Sequence, residues 1–188
     1  MYKICIIGLG NPGSKYDQTR HNIGKDWLQA LSKKFSIEFK YKSKFEADFA
    51  ESHQGDALWI IPSNYVNDSG NTVSKILRST NLNSELLIVL HDDLDLKIGD
   101  LRLKVDGGHG GHNGLKDIIF KIGKTKFKRL RIGIGHPGSK DEVTNYVLKK
   151  FLPSEKKVIN SSYKKLDDVF ELILNNEFEA VQKVLHTK

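Results

Sequence analysis

The chain has 188 residues, enough for one compact domain with a sizeable core, and its 38% hydrophobic and 28% charged residues exclude a disordered chain. A formal net charge of +7 favours an anionic partner: nucleic acid, a membrane surface or a phosphorylated ligand. The single cysteine, Cys5, excludes an internal disulfide, and no stretch approaches the ~18 apolar residues of a membrane span or carries the flanks of a signal peptide, so a cytoplasmic protein without an anchor is expected.

Residues 2–7 are a short apolar run ending in glycines and predict a buried strand; residues 8–20 read as loop. Asn22 is placed to cap a helix in which Ile23, Trp27, Leu28, Leu31 and Phe35 fall near a 3.6 period. Residues 45–51 and 57–61 predict strands around a turn at 53–56, and 62–70 a loop. Val73, Ile76 and Leu77 suggest a second helix, with Ser69 at its expected cap. Residues 86–90 are continuously apolar, as in a strand covered on both faces. Leu101, Leu103 and Val105 alternate with Arg102 and Lys104, which predicts a half-exposed strand with a basic face. A glycine-rich loop over 106–114 leads into a helix through Ile122, and Leu130, Ile132 and Ile134 mark another strand, ended by His136-Pro137-Gly138. Ser154 is placed to cap a long amphipathic helix through Leu174, and Phe178–Leu185 predicts a last one. Strands separated by helices predict an α/β fold: one domain over residues 1–188, a three-layer sandwich with a twisted mixed, partly parallel sheet flanked by helices. Ligands of such sheets sit beyond the carboxyl ends of the strands.

Gly8-Leu9-Gly10-Asn11-Pro12-Gly13 matches the dinucleotide fingerprint G-x-G-x-x-G after a strand. The helix should then begin inside the motif, yet the amphipathic pattern starts only near Ile23. The acidic residue expected roughly 20 residues on is replaced by a helical Leu31-Ser32-Lys33-Lys34 segment. A tight turn is the simpler role for these glycines. His91, Asp92, Asp93 and Asp95 with His109 and His112 offer metal-ligand types, but Leu94 and Leu96 alternate with the acids, which suggests an extended chain rather than a cage. No G-x-S-x-G occurs. Trp27 and Trp59 lie on apolar faces and read as core. Between Lys97 and Arg131 there are ten Lys and Arg against three Asp, densest at Lys121, Lys124, Lys126, Lys128 and Arg129. That run suits either a solvated surface or a phosphate-binding one.

The polar loop segments share a pattern. Gly8-Leu9-Gly10-Asn11-Pro12-Gly13, Tyr16, Thr19-Arg20-His21-Asn22-Ile23-Gly24, Asn67-Asp68-Ser69-Gly70, His91-Asp92-Asp93-Leu94-Asp95, the stretch from Gly107 to Asp117, and Arg129-Leu130-Arg131-Ile132-Gly133-Ile134-Gly135-His136-Pro137-Gly138 resemble the bacterial-type peptidyl-tRNA hydrolase family in order and over about residues 3–150. The resemblance implies hydrolysis of the ester between a peptide, or N-blocked amino acid, and tRNA by a monomer needing neither metal nor cofactor. It implies His21 as the base that activates water, Asp92 as the carboxylate orienting it, and Asn11 as the position that selects blocked over free aminoacyl-tRNA. Asn67 and Asn113 would hold the peptide and terminal adenosine, Tyr16 and Tyr65 would contact substrate, and Arg102, Lys104 and Arg131 would hold tRNA phosphates. Val66 stands where some members carry Met, which implies a smaller, stiffer pocket wall.

The chemistry of these residue types agrees. A ribose oxygen is a fair leaving group, so the demand is a base for water near neutral pH, which histidine meets. Asparagine amides donate to a carbonyl oxygen gaining charge without demanding a counter-charge. A non-catalytic RNA-binding module on the same fold is the alternative; it has no need of a histidine–carboxylate pair.

Overall fold

The apolar runs at Ile4–Gly8, Ala57–Pro62 and Leu87–Asp93 form the centre of a seven-stranded sheet in the computed structural model, which describes residues 2–186. In chain order the elements are β1 (Ile4–Gly8), α1 (Ile23–Lys34), β2 (Lys40–Lys42), β3 (Ala47–Glu51), β4 (Ala57–Pro62), α2 (Ser69–Thr80), β5 (Leu87–Asp93), β6 (Leu101–Lys104), α3 (Asn113–Ile122), β7 (Lys128–Gly133), α4 (Val143–Val147), α5 (Pro153–Leu174) and α6 (Phe178–Leu185). The strand order is β2-β3-β4-β1-β5-β7-β6. β4, β1, β5 and β7 are parallel, while β2, β3 and β6 run antiparallel to their neighbours.

The central strands are apolar throughout because helices cover both faces. Ile4, Ile6, Trp59, Leu90 and Leu130 pack with α1, α5 and α6 in one cluster. Cys5, Ile7, Leu58, Ile60 and Val89 pack with α2 and α3 in the other. Each large apolar side chain so buried contributes roughly 1.5–3 kcal/mol. Trp27 and Trp59 are core, as the periodicity implies, and burial pushes the Cys5 thiol up to about 12. No helix among the described residues is long and apolar enough to cross a membrane.

Several boundaries differ from the sequence reading, each for a local reason. β1 begins at Ile4 and β3 at Ala47, because the preceding residues lack ladder partners. β2 was not expected: Lys-Tyr-Lys is an exposed edge segment with no apolar alternation. β5 continues through His91 and Asp92 to Asp93, so these polar residues are strand residues paired with β7, not a following loop. β6 ends at Lys104, one residue before Val105. Ser154 does not cap α5. Leu152 holds that position, Pro153 opens the helix, and Glu155 Oε2 accepts from Leu152 N at 2.7 Å. Ser69 opens α2 rather than capping it. At the exposed edge, Leu103 N donates to His186 Nε2 and Gln182 donates to Leu103 O, so α6 covers the β6 backbone.

Candidate active site

A cleft of about 270 Å3 opens beyond the carboxyl ends of β1, β4 and β5, where the strand order reverses around β1. Asn11, His21, Tyr65, Asn67, Asp92 and Asn113 all line it. They arrive on five separate segments, Tyr65 and Asn67 sharing one, so the convergence is set by topology. Gly24 permits it: a Cβ there would lie 2.2 Å from Leu90 O, so only glycine lets α1 and the turn before it press against the end of β5.

Asp92 is the electrostatic centre and is only 3% exposed. His21 Nδ1 lies 2.9 and 3.0 Å from its two carboxylate oxygens, and His112 Nε2 lies 2.9 Å from Oδ1. The tautomers follow from the network. Gly114 N and Leu115 N donate to His112 Nδ1 at 3.1 and 3.3 Å, so the proton sits on Nε2 and points at Asp92. His112 is thus the N-cap of α3 and the second donor to the carboxylate. Gly110 and Gly111, with φ of 54° and 79°, give the left-handed turn that aims it. His21 uses Nδ1 for Asp92, and Nε2 has no hydrogen-bond partner among the described residues, on a ring that lines the cleft. Burial alone would lower the His21 pKa, but the charge and hydrogen bonds of Asp92 outweigh it and the net shift is upward. For Asp92, burial raises the pKa, yet His21 and His112 together hold it far below the carboxylate range. His91 Nδ1 donates to the Asp92 backbone carbonyl at 2.7 Å; burial, helped by His112, pushes its pKa down to about 3, so it is neutral.

Asn11 is held from several sides. Val66 N donates to its Oδ1 at 2.9 Å, and its backbone exchanges two hydrogen bonds with the Asn22 amide. With Oδ1 bound, the NH2 group is the end available to the cleft. Asn22 therefore does not cap α1 with its side chain, because its amide is engaged by Asn11. Gly8 and Gly10 pack this loop against α1, where a Cβ would lie 2.7 Å from Gly24 O or 2.8 Å from Lys25 Cβ. The dinucleotide fingerprint is a packing motif here. Val66 is buried against the start of α3 and lines the cleft. Asn67, Asn113 and Tyr65 are exposed at the rim, with Tyr16 edge-on to Tyr65 at 6.2 Å.

His21, Asp92 and His112 are the one His/Asp group among the described residues close enough to hold a metal. Their N–O separations of 2.9 Å are hydrogen-bond distances, whereas ligands on a tetrahedral zinc with ~2.0–2.1 Å bonds lie roughly 3.3 Å apart. The residues fit a hydrogen-bonded triad better than a metal site. The wider acidic set does not gather: Asp93 accepts from Arg131 and from Asp95 N, and Asp95 is exposed.

A second cleft adjoins the first, sharing His91, Asp93, His109 and Gly110, and is lined by Lys104, Arg129 and Arg131. Lys104 and Arg131 meet there, with Arg131 Nε 2.6 Å from Asp93 Oδ2. Arg102 is not brought to this cleft; its guanidinium donates to Leu101 O and to Leu185 O at the end of α6, a favourable place for a cation. Arg129 is buried and donates to Thr125 O, Phe127 O and Gly107 O, so the basic run seen in the sequence is not one continuous surface.

Two features escaped the sequence reading. His112 stands in the glycine-rich stretch from Gly107 to Asp117, but its double use was not legible; a histidine just ahead of a helix is a weak N-cap signal. The wall formed by Val143, Thr144, Val147 and Leu148 sits on α4, too short for a periodicity.

A peptidyl-tRNA hydrolase family model matches residues 5–188. The chain is 43% identical over 185 residues to peptidyl-tRNA hydrolase of Nitrosospira multiformis, covering 97% of each chain, and 42% identical to that of Marinomonas sp., covering 97% and 95%. The crystal structure of peptidyl-tRNA hydrolase from Acinetobacter baumannii superposes with a TM-score of 0.93 at 38% identity, covering 98% of this chain and 95% of that one.

Proposed function

This chain belongs to the peptidyl-tRNA hydrolase family, whose function is hydrolysis of peptidyl-tRNA, and we propose that His21 Nε2 is the base that draws a proton from the attacking water. The observation that carries this reading is the Asp92–His21 Nδ1 pair, which leaves Nε2 free on a ring lining the cleft. Water oxygen attacks the ester carbonyl carbon as Nε2 takes the water proton. The resulting imidazolium is stabilised by Asp92, itself steadied by the His112 N–H. The tetrahedral intermediate then collapses, the carbon–oxygen bond to the ribose breaks, and the ribose oxygen recovers the proton from His21. The products are a free peptide acid and tRNA.

The Asn11 NH2 donates to the substrate side of the bond. Its Oδ1 is bound to Val66 N, so the group presents a donor to a carbonyl of a blocked amino acid and meets a free ammonium with like polarity. Asn67 and Asn113 hold the acyl chain and terminal nucleoside at the rim, with Tyr65 and Tyr16 beside them. Lys104 and Arg131 hold phosphate in the adjoining cleft, which gives sequence-independent affinity suited to many tRNAs. Arg102, engaged at α6, supports this surface from its edge. The reading is of a metal-independent monomer acting in the cytoplasm on the acceptor end and nascent peptide.

The test is release of tRNA from N-acetyl-aminoacyl-tRNA, run beside unblocked aminoacyl-tRNA with EDTA present. Cleavage of the blocked substrate alone is expected. Equal cleavage of both would reject the Asn11 role, and loss of cleavage with EDTA would reject metal independence.

A further inference from the structure

We infer that Arg20 is a positioning residue that docks the α4 wall of the cleft onto the turn carrying His21, and so sets how tightly the peptide part of the substrate is held; this rests on the hydrolytic reading above. Arg20 is 4% exposed, an unusual place for a guanidinium, and it is the residue before His21. Nη1 donates to three carbonyls at the end of α4 and just beyond: Tyr146 O at 3.5 Å, Lys149 O at 3.3 Å and Lys150 O at 3.0 Å. Nη2 donates to Glu155 Oε2 at 2.7 Å, the oxygen that also accepts from Leu152 N at the start of α5. The guanidinium lies 4.1 Å from the Tyr146 ring centroid and 5.1 Å from that of Phe151. Backbone hydrogen bonds run in parallel, with Arg20 N donating to Lys149 O at 3.0 Å and Thr19 bridged to Lys150.

The wall depends on this attachment. α4 has five residues, too few to be stable alone. One side is tied by Tyr146 Oη donating to Ile134 O at 2.6 Å, and the other by Arg20. Val143, Val147 and Leu148 present an apolar surface to the cleft that Asn11, Asn67 and Asn113 also line, which suits peptide side chains rather than nucleotide. His21 itself has a separate anchor in Asp92, so loosening Arg20 frees the wall while the base stays placed.

The test uses the full chain with Arg20→Lys, which keeps the charge but loses the planar fork, and Glu155→Gln, which removes the ion pair alone. Val169→Ala, on the buried face of α5 and away from the cleft, controls for general destabilisation. For Arg20→Lys, KM for a tripeptidyl-tRNA should rise about fivefold or more, as for a wall docked a fifth of the time, with kcat and the acid limb of the pH profile near wild type. KM for N-acetyl-aminoacyl-tRNA should rise less. Glu155→Gln should move KM the same way by a smaller factor, and Val169→Ala should lower Tm without moving KM. Amide hydrogen exchange over residues 143–150 should quicken in both Arg20→Lys and Glu155→Gln, which reads the docking even in the absence of turnover. Unchanged exchange, or a fall in kcat matching the unfolded fraction with KM constant, would overturn the inference. A displaced acid limb would overturn it too, placing Arg20 in the electrostatics of His21. An inactive wild type with quickened exchange in the variants would instead sink the hydrolytic reading alone.

Discussion

The two adjoining clefts share residues yet are built on opposite physics. In the first, charge is buried and matched at short range: Asp92 accepts from two histidine N–H groups, and the surrounding donors are neutral amides. In the second, Lys104 and Arg131 stand partly in solvent beside Asp93, which pairs with Arg131, and the exposed Asp95, Arg131 being 24% exposed. Buried hydrogen-bonded charge resists salt and depends on single atoms; partly exposed charge is screened within about 8 Å at physiological ionic strength and tolerates imprecise geometry. That difference supports the proposal of chemistry in the first cleft and phosphate attraction in the second.

Four variants would break or sharpen that division. The largest effect belongs to Asp92→Asn, expected to lower kcat by about 10²–10⁴-fold because the imidazolium loses its counter-charge. The His21 pKa is raised in the fold by Asp92, and the base works when neutral, so the acid limb of kcat/KM lies above the ordinary imidazole value and should move down in this variant. An unmoved limb would mean that another group is titrating. Asn11→Asp comes next: it removes the donor NH2 and is expected to lower kcat/KM for blocked substrate by roughly 10²-fold and to narrow the blocked-to-free ratio. An unaltered ratio in competition assays would remove Asn11 from selectivity. Lys104→Ala combined with Arg131→Ala should weaken tRNA binding about tenfold and flatten its salt dependence by about one unit for each phosphate no longer neutralised, leaving kcat at saturation intact. A kcat loss would show the two clefts are not separable. The smallest effect concerns Asp26, outside both clefts, where burial raises the carboxyl to about 6 from 3.8. The folded state binds this proton more tightly than the unfolded chain. Its contribution is therefore present below 3.8 and lost as pH rises through about 6, so Asp26→Asn should flatten Tm against pH across that window. A Tm profile parallel to wild type would assign the pH dependence to other groups.

The first cleft was more legible in the sequence than the second. Asn11, His21, Asn67, Asp92 and Asn113 stand in loop or strand-end motifs with spacing the fold preserves, so residue type and order were informative. The basic surface was read along the chain, and a linear tally cannot see that Arg129 turns inward to three carbonyls or that Arg102 reaches α6. Buried strands such as β4 and β5 announced themselves by continuous apolar runs, while β2 and α4 owe their form to neighbours rather than to a pattern of their own. His112 shows the same limit: its second hydrogen bond exists only once the glycine turn brings the ring to Asp92.

The most direct measurement is single-turnover release of tRNA from N-acetyl-aminoacyl-tRNA by wild type and His21→Ala, with tRNA affinity measured on the same preparations. A rate lower by about 10²–10⁴-fold with tRNA affinity unchanged is the predicted result, since in the proposed mechanism the imidazole acts on water and the phosphates are held elsewhere. A parallel loss of affinity, or a rate close to wild type, would contradict the assignment of the base to His21.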